Sequence, residues 1–208
     1  MASANDEWVI QVQNQVKIKT DVQIVEDENH RWRRRSIYKL PPCVTNISRN
    51  PYTPQVVSFG PYHSKNENLK PMEEHKDRAV MHFLKRSSQV HLEDYFYSLK
   101  GIVNDLMDAY DSLDEDFKNN EYEFLKLMIR DGCFLLEIFR AAKGNFVGYA
   151  SNDPWTPFVR KGMILYVIPH LKRDILMLEN QLPMKVLHKL HQIQNGLASS
   201  NTFPNMIS

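Results

Sequence analysis

Residues 121–142, EYEFLKLMIRDGCFLLEIFRAA, decide the fold. Phe124, Leu125, Met128, Ile129, Leu136 and Phe139 recur at three- and four-residue spacing or whole turns of it, the period of a helix with one apolar face. No proline interrupts the run. Gly132 in its middle costs about 1 kcal/mol relative to alanine, so close packing or a bend is expected there.

The same period extends outward on both sides. Upstream, Pro71 suits the first position of a helix reaching about Arg86, with Glu73 and Glu74 at its positive end. Its stripe is Met72, His75, Ala79 and Phe83. From His91 to Leu113, Leu92, Phe96, Leu99, Val103, Leu106 and Tyr110 predict one long amphipathic helix. Downstream, 143–158 reads as a loop, and helices follow at about Val159–Glu179 and Pro183–Gln194, punctuated by Pro169 and Pro183. Near the amino terminus, Trp8, Val12 and Val16 predict a short amphipathic helix over 6–18.

Residues 37–62 differ. Prolines 41, 42, 51, 54 and 61, with Gly60, forbid a long helix, while Ile37, Tyr38, Val56, Val57 and Phe59 suggest short extended pieces. The fold class is therefore all-α, an irregular helical domain with a Pro-rich extended loop region near 37–62. Its expected organisation is an amino-terminal helix and polar linker over 1–30, a helical domain over 31–194, and a flexible tail over 195–208.

Composition narrows the function classes. Lys plus Arg is 26 and Asp plus Glu is 25, a formal net charge of +1, which disfavours a nucleic-acid partner. Hydrophobic residues at 42% supply a core. The two cysteines, Cys43 and Cys133, form no disulfide framework or zinc spacing, and Cys133 in its apolar run is expected as a buried, reduced thiol. Met1–Glu7 has no signal-peptide character, and the longest apolar run, Met163–Pro169, falls well short of the ~18 residues that span a bilayer. Without a secretory signal, Asn46-Ile47-Ser48 reads as a chance glycosylation match. A cytoplasmic location is the expectation for the chain as given.

Four ordered blocks carry a resemblance. They are Ile37-Tyr38-Lys39-Leu40-Pro41-Pro42; Tyr52-Thr53-Pro54-Gln55-Val56-Val57-Ser58-Phe59-Gly60-Pro61-Tyr62-His63; Asp131-Gly132-Cys133-Phe134-Leu135-Leu136-Glu137; and Asp174-Ile175-Leu176-Met177-Leu178-Glu179-Asn180-Gln181-Leu182-Pro183. With Met72-Glu73-Glu74-His75-Lys76, they resemble the plant family called domain of unknown function 247, or UPF 0481, over roughly residues 30–194. The resemblance implies a plant source, a helical fold and no established catalytic activity or cofactor. Some grass members are associated with self-incompatibility, a recognition function. Members are longer, and their carboxy-terminal part ends in a hydrophobic segment that anchors them to a membrane; this chain is therefore expected to be a truncated form. It has Ser64 and Lys65 where many members carry a second histidine and a glycine, so no paired histidine is implied. Tyr52, Pro54, Gly60, Pro61, Tyr62, His63, Glu74, His75, Lys76, Asp131, Gly132, Leu178, Glu179, Asn180, Gln181 and Pro183 are the family-motif residues, expected to be structural.

Each apparent active site fails on spacing. His63, Glu74, His75 and Asp77 suggest a metal-dependent hydrolase, but the position four after His75 is Ala79, and His82 lies two turns on. A helix start with favourable carboxylates explains the same residues. His188 and His191 could reach one metal at i and i+3, yet no carboxylate or cysteine joins them at a ligand spacing. Ser58 lacks the first glycine of a nucleophile elbow. Asp174 and Glu179 stand about 140° apart on a helix, wrong for a catalytic pair; a buried role is expected, with Asn180 and Gln181 capping a helix end. Arg31, Arg33, Arg34 and Arg35 are the candidate contacts to an anion, a partner or a membrane surface, although acids at 21 and 26–28 favour local pairing. The resulting expectation is a non-enzymatic interaction or recognition module with a protein partner, no cofactor and no metal. The hydrolase and the peripheral membrane protein are the alternatives.

Overall fold

The computed structural model describes residues 4–18, 23, 25, 26, 28, 29, 34–45, 52–86, 90–145, 148, 149 and 167–196. Within them are nine α-helices: α1 (Ala4–Ile18), α2 (Pro42–Thr45), α3 (Glu73–Lys85), α4 (Leu92–Lys100), α5 (Val103–Asp108), α6 (Glu115–Lys118), α7 (Glu121–Ala142), α8 (Val167–Leu176) and α9 (Met184–Gln194). No strand pairs into a sheet among the described residues; the one isolated bridge joins Ile37 and Tyr110 in parallel. The chain is all-α.

The long helix α7 is the axis. Asn120 starts it, accepting the Glu123 N–H on its side chain. Every residue from Asp131 to Glu137 is buried, so this stretch is surrounded rather than one-sided. Helix α3 covers one face. Arg130 meets Glu73 and Asp77 near the start of α3, while Glu137 meets Arg86 just past its end, so the two helices run in the same direction. Helix α9 covers another face through Gly132. A Cβ at that glycine would lie 2.5 Å from Leu190 Cδ1 and 3.1 Å from Val186 Cγ1. Close packing explains this glycine.

Several elements differ from expectation. The run 91–113 is two helices, because the chain leaves helical geometry at Ile102 (φ −127°, ψ 15°), just after Gly101 at the end of α4. Glycine is a poor helix former, and the break lets Val103 and Leu106 reach the core from a new direction. In α4 the buried stripe is Tyr95 and Leu99, whereas Leu92 is exposed. Pro71 lies inside a 3-10 turn, Glu67–Met72, that precedes α3, and Asn66 rather than proline opens that turn by accepting the Asn68 N–H. On α3 the core stripe includes Lys76, with His75 only half-buried. Helix α8 ends at Leu176 rather than 179, and Pro169 lies within it. The predicted amino-terminal helix forms, but Trp8, Val9, Ile10 and Val12 are exposed. The expected start of the 159–179 helix and most of the 195–208 tail lie outside the described residues.

Candidate functional site

The segment Pro54–Pro61 runs through the body in irregular form, bent at Gln55–Val56 and at Gly60–Pro61, with no neighbouring strand, and buries Val57 and Phe59. Backbone outside helix and sheet in a core needs partners for its N–H and C=O groups, because a buried unpaired donor costs about 1–3 kcal/mol. Helix side chains supply them. Asp174, fully buried on α8, accepts three successive backbone donors: Gln55 N at 3.0 Å, Val56 N at 2.6 Å and Val57 N at 3.0 Å. Asn180 accepts Phe59 N at 2.7 Å and donates to Val57 O at 3.0 Å. Asp131 on α7 accepts Gly60 N at 2.9 Å. Three side chains thus supply the partners that an adjacent strand supplies in a sheet.

The clamp also needs its negative charge balanced. Lys76 is fully buried on α3; its Nζ stands 2.7 Å from Asp131 Oδ1, 2.8 Å from Glu73 Oε1 and 3.2 Å from Ser58 Oγ. Burial pushes the Asp131 carboxyl above its usual range, and Lys76 and the Gly60 N–H pull it back. Arg130 closes the outer side, bonding Glu73 at 2.6 Å and Asp77 at 2.5 Å. Ser58 is buried and its hydroxyl accepts a hydrogen bond from Lys76 inside the clamp.

Two residues past Leu178, the chain turns inward instead of continuing α8. Asn180 Nδ2 donates to Asp174 O at 2.8 Å, and Gln181 Nε2 donates to Ile175 O at 2.6 Å and Met177 O at 2.7 Å. These bonds satisfy the carbonyls left at the end of α8, the capping expected of this pair. The turn frees Glu179 to face Leu40, whose N–H donates to Glu179 Oε1. His63 Nε2 lies 3.4 Å from Glu179 Oε2, and is buried without a well-directed hydrogen bond. Burial lowers the His63 pKa, an effect that Glu179 and Asp174 oppose and Lys39 reinforces. Gly60 sits at φ +71°, where a Cβ would come within 2.6 Å of Gln181 O and 2.8 Å of Tyr110 Oη. Tyr110 Oη itself donates to Gln181 O at 3.1 Å, knitting α7, the 54–61 segment and the α8–α9 corner together.

The other predicted residues scatter. Tyr52 and Tyr62 are half-buried, with Tyr62 Oη bonding Ile37 O; Pro54, Pro61 and Pro183 are buried. Leu178 is 67% exposed and Leu176 in the same block 79%, while Asp174, Glu179, Asn180 and Leu182 are buried. Glu74 is exposed and His75 half-buried. Among the described residues no group of three His, Cys, Asp or Glu side chains could hold a metal ion, so His63, Glu74 and His75 are not assembled as a metal site, and neither are His188 and His191. Cys133 is buried, its thiol pushed up by burial.

Arg31 and Arg33 lie outside the described residues. Arg34 pairs with Asp108 at 2.9 Å and Arg35 with Asp111 at 2.5 Å. The neighbouring backbone seats the arm 34–40: Ser36 N and Ile37 N donate to Ala109 O at 3.0 and 2.9 Å, and Asp111 N donates to Ile37 O at 2.9 Å. Sequence reading looked for the partners of this run among the acids at 21 and 26–28. The acids that meet Arg34 and Arg35 are 74 and 76 residues away, and no local pattern marks them. Arg130 was missed for the same reason. Between arm and helices lies a cleft of about 570 Å³, lined by Arg34, Arg35, Asn104, Asp108, Asp111 and Lys118 over Met107, Tyr110 and Leu113.

These features define a helical domain built round a buried polar clamp, with a charged cleft at one edge. The chain belongs to the plant family of unknown function DUF247, whose model matches residues 37–207. It is 31% identical over 156 residues to a UPF0481 protein of Arabidopsis thaliana, covering 74% of this chain and 30% of that protein. To a putative UPF0481 protein of the same plant it is 26% identical over 187 residues, covering 90% of this chain and 32% of that protein. The chain thus spans about a third of the length of these curated relatives. No solved structure matches it significantly. Among the described residues no helix is long and apolar enough to cross a membrane.

Proposed function

We propose that this protein is a non-enzymatic recognition module that seats a polar segment of a protein partner in the cleft between the arm 34–40 and the α5–α6 corner. The cleft is the observation that carries the reading. Its volume of about 570 Å³ falls within the range of ligand-binding clefts, and its walls carry both signs of charge over an apolar floor. Such walls orient a polar partner and reject wrong ones. The Arg34–Asp108 pair is half-exposed on both sides, and pairs of this kind are worth roughly 0–1 kcal/mol, so a partner can exchange them at little cost. Asp174, Asp131, Lys76 and Ser58 of the family blocks, by contrast, are engaged inside the fold.

The test is affinity purification from plant tissue with the chain and with an Arg34→Glu/Arg35→Glu variant whose thermal melt is unchanged. The expected result is one partner recovered repeatedly by the former and lost by the latter. Equal recovery by both, or recurrent recovery of nothing, contradicts the reading.

A further inference from the structure

His63, Glu179 and Leu40 meet at the root of the arm. Glu179 is the shared element: one oxygen accepts the Leu40 N–H, and the other lies 3.4 Å from His63 Nε2. The charged groups acting on His63 come from three places, Glu179 at the α8–α9 corner, Asp174 on α8 and Lys39 on the arm itself. We propose that His63 and Glu179 form a proton-operated latch, which holds the arm 34–40 when the imidazole is neutral and loosens it when the imidazole is charged.

The direction follows from what surrounds the ring. A charged imidazole in this site must be stabilised where it is or must reach water. Asp174 is already committed to three backbone donors, and Glu179 shares its charge with Leu40. Lys39 adds a like charge, its ammonium 5.8 Å from the Tyr62 ring next to His63. Burial outweighs the two acids, so protonation is disfavoured in the seated form. The element that yields at least cost is the arm, where Ser36, Tyr38 and Lys39 are exposed and only Ile37 is buried. The switch therefore works on the acid side of about pH 6.5, the ordinary histidine value. That loosening also opens the wall of the binding cleft rests on the recognition reading above; the latch itself stands without it.

Hydrogen exchange on the whole chain tests it, at about pH 7.5 and about pH 5.5, either side of the ordinary histidine value, with rates expressed as protection relative to an unstructured chain. The expected result is a loss of protection at Ile37–Leu40 at the lower pH, none in the α7 core, and none anywhere in His63→Gln. Protection that is independent of pH, or an equal loss in His63→Gln, overturns the latch. Should His63→Gln fail to fold, an NMR titration of the native His63 ring and the Leu40 amide decides. The two signals titrating together support the latch, and an amide that stays fixed while the ring protonates overturns it. Because the partner assay runs at neutral pH on arginine variants, failure of that reading and failure of this one are separable.

Discussion

The carboxylate of Asp174 accepts the backbone N–H of Val56 at 2.6 Å across 118 residues of sequence. That bond, with its neighbours at Gln55 and Val57, does the work a paired strand does elsewhere. A helix cannot lend its own backbone to a neighbour, since its N–H and C=O groups are spent internally. Only side chains can reach, and in a dry core a carboxylate accepts more strongly than a neutral group.

Asp174→Ala strands three donors at once, buried at Val57 and part-buried at Gln55 and Val56. A buried one costs about 1–3 kcal/mol, so a loss on the order of 3 kcal/mol is expected in urea denaturation. Asp174→Asn retains an acceptor oxygen and should lose less. Leu178→Ala, in the same block but exposed, should change stability by no more than about 0.5 kcal/mol. Equal losses for Asp174→Ala and Leu178→Ala would contradict the clamp.

Gly60→Ala and Gly132→Ala separate two reasons for glycine. At Gly60 the left-handed backbone costs an ordinary residue roughly 1–2 kcal/mol, and the added carbon meets a carbonyl and a tyrosine hydroxyl. At Gly132 the obstacle is side-chain carbon of Leu190 and Val186. Overpacking there costs about 1–3 kcal/mol, and Leu190→Ala in the same molecule should relieve part of it. A double variant no better than the sum of the singles would show that Leu190 is not the obstacle.

The helices were legible in the sequence wherever the apolar period runs without a break. Residues 121–142 and 184–194 read cleanly because their periodicity is uninterrupted. The break at Ile102 was not legible, since Leu99, Val103 and Leu106 keep helical spacing across it while the chain changes direction. The clamp was half legible. Asp174, Glu179 and Asn180 stood out as polar residues among apolar ones, so burial could be expected; Asp131 was marked only by its motif. Their partners are backbone donors, which every residue carries and no sequence pattern displays. Lys76 carries a structural expectation from its motif alone: with Glu73, Glu74 and Asp77 within one turn, nothing local marks it as buried, and its partner Asp131 lies on another helix.

Stability should also report on His63. Its folded pKa is lowered, so the neutral form is favoured in the fold. Above the unfolded value of about 6.5 both states are neutral and His63 contributes nothing to pH dependence. As pH falls below that value, the unfolded chain takes up the proton first and stability drops, until pH passes the folded value. Wild type should therefore lose stability relative to His63→Gln between about pH 7 and pH 5. Subtracting the variant removes the opposite contribution of Asp131, whose pKa is raised. A constant difference across the range would contradict the assignment.

The central claim is that side chains from α7 and the α8–α9 region hold the 54–61 segment as tightly as a sheet would. Native-state hydrogen exchange at the amides of Gln55, Val56, Val57, Phe59 and Gly60 measures this directly. The account predicts protection approaching that of Phe124–Leu136 in α7, lost selectively at Gln55–Val57 in Asp174→Asn. Exchange at the rate of an open loop in the native chain would contradict it.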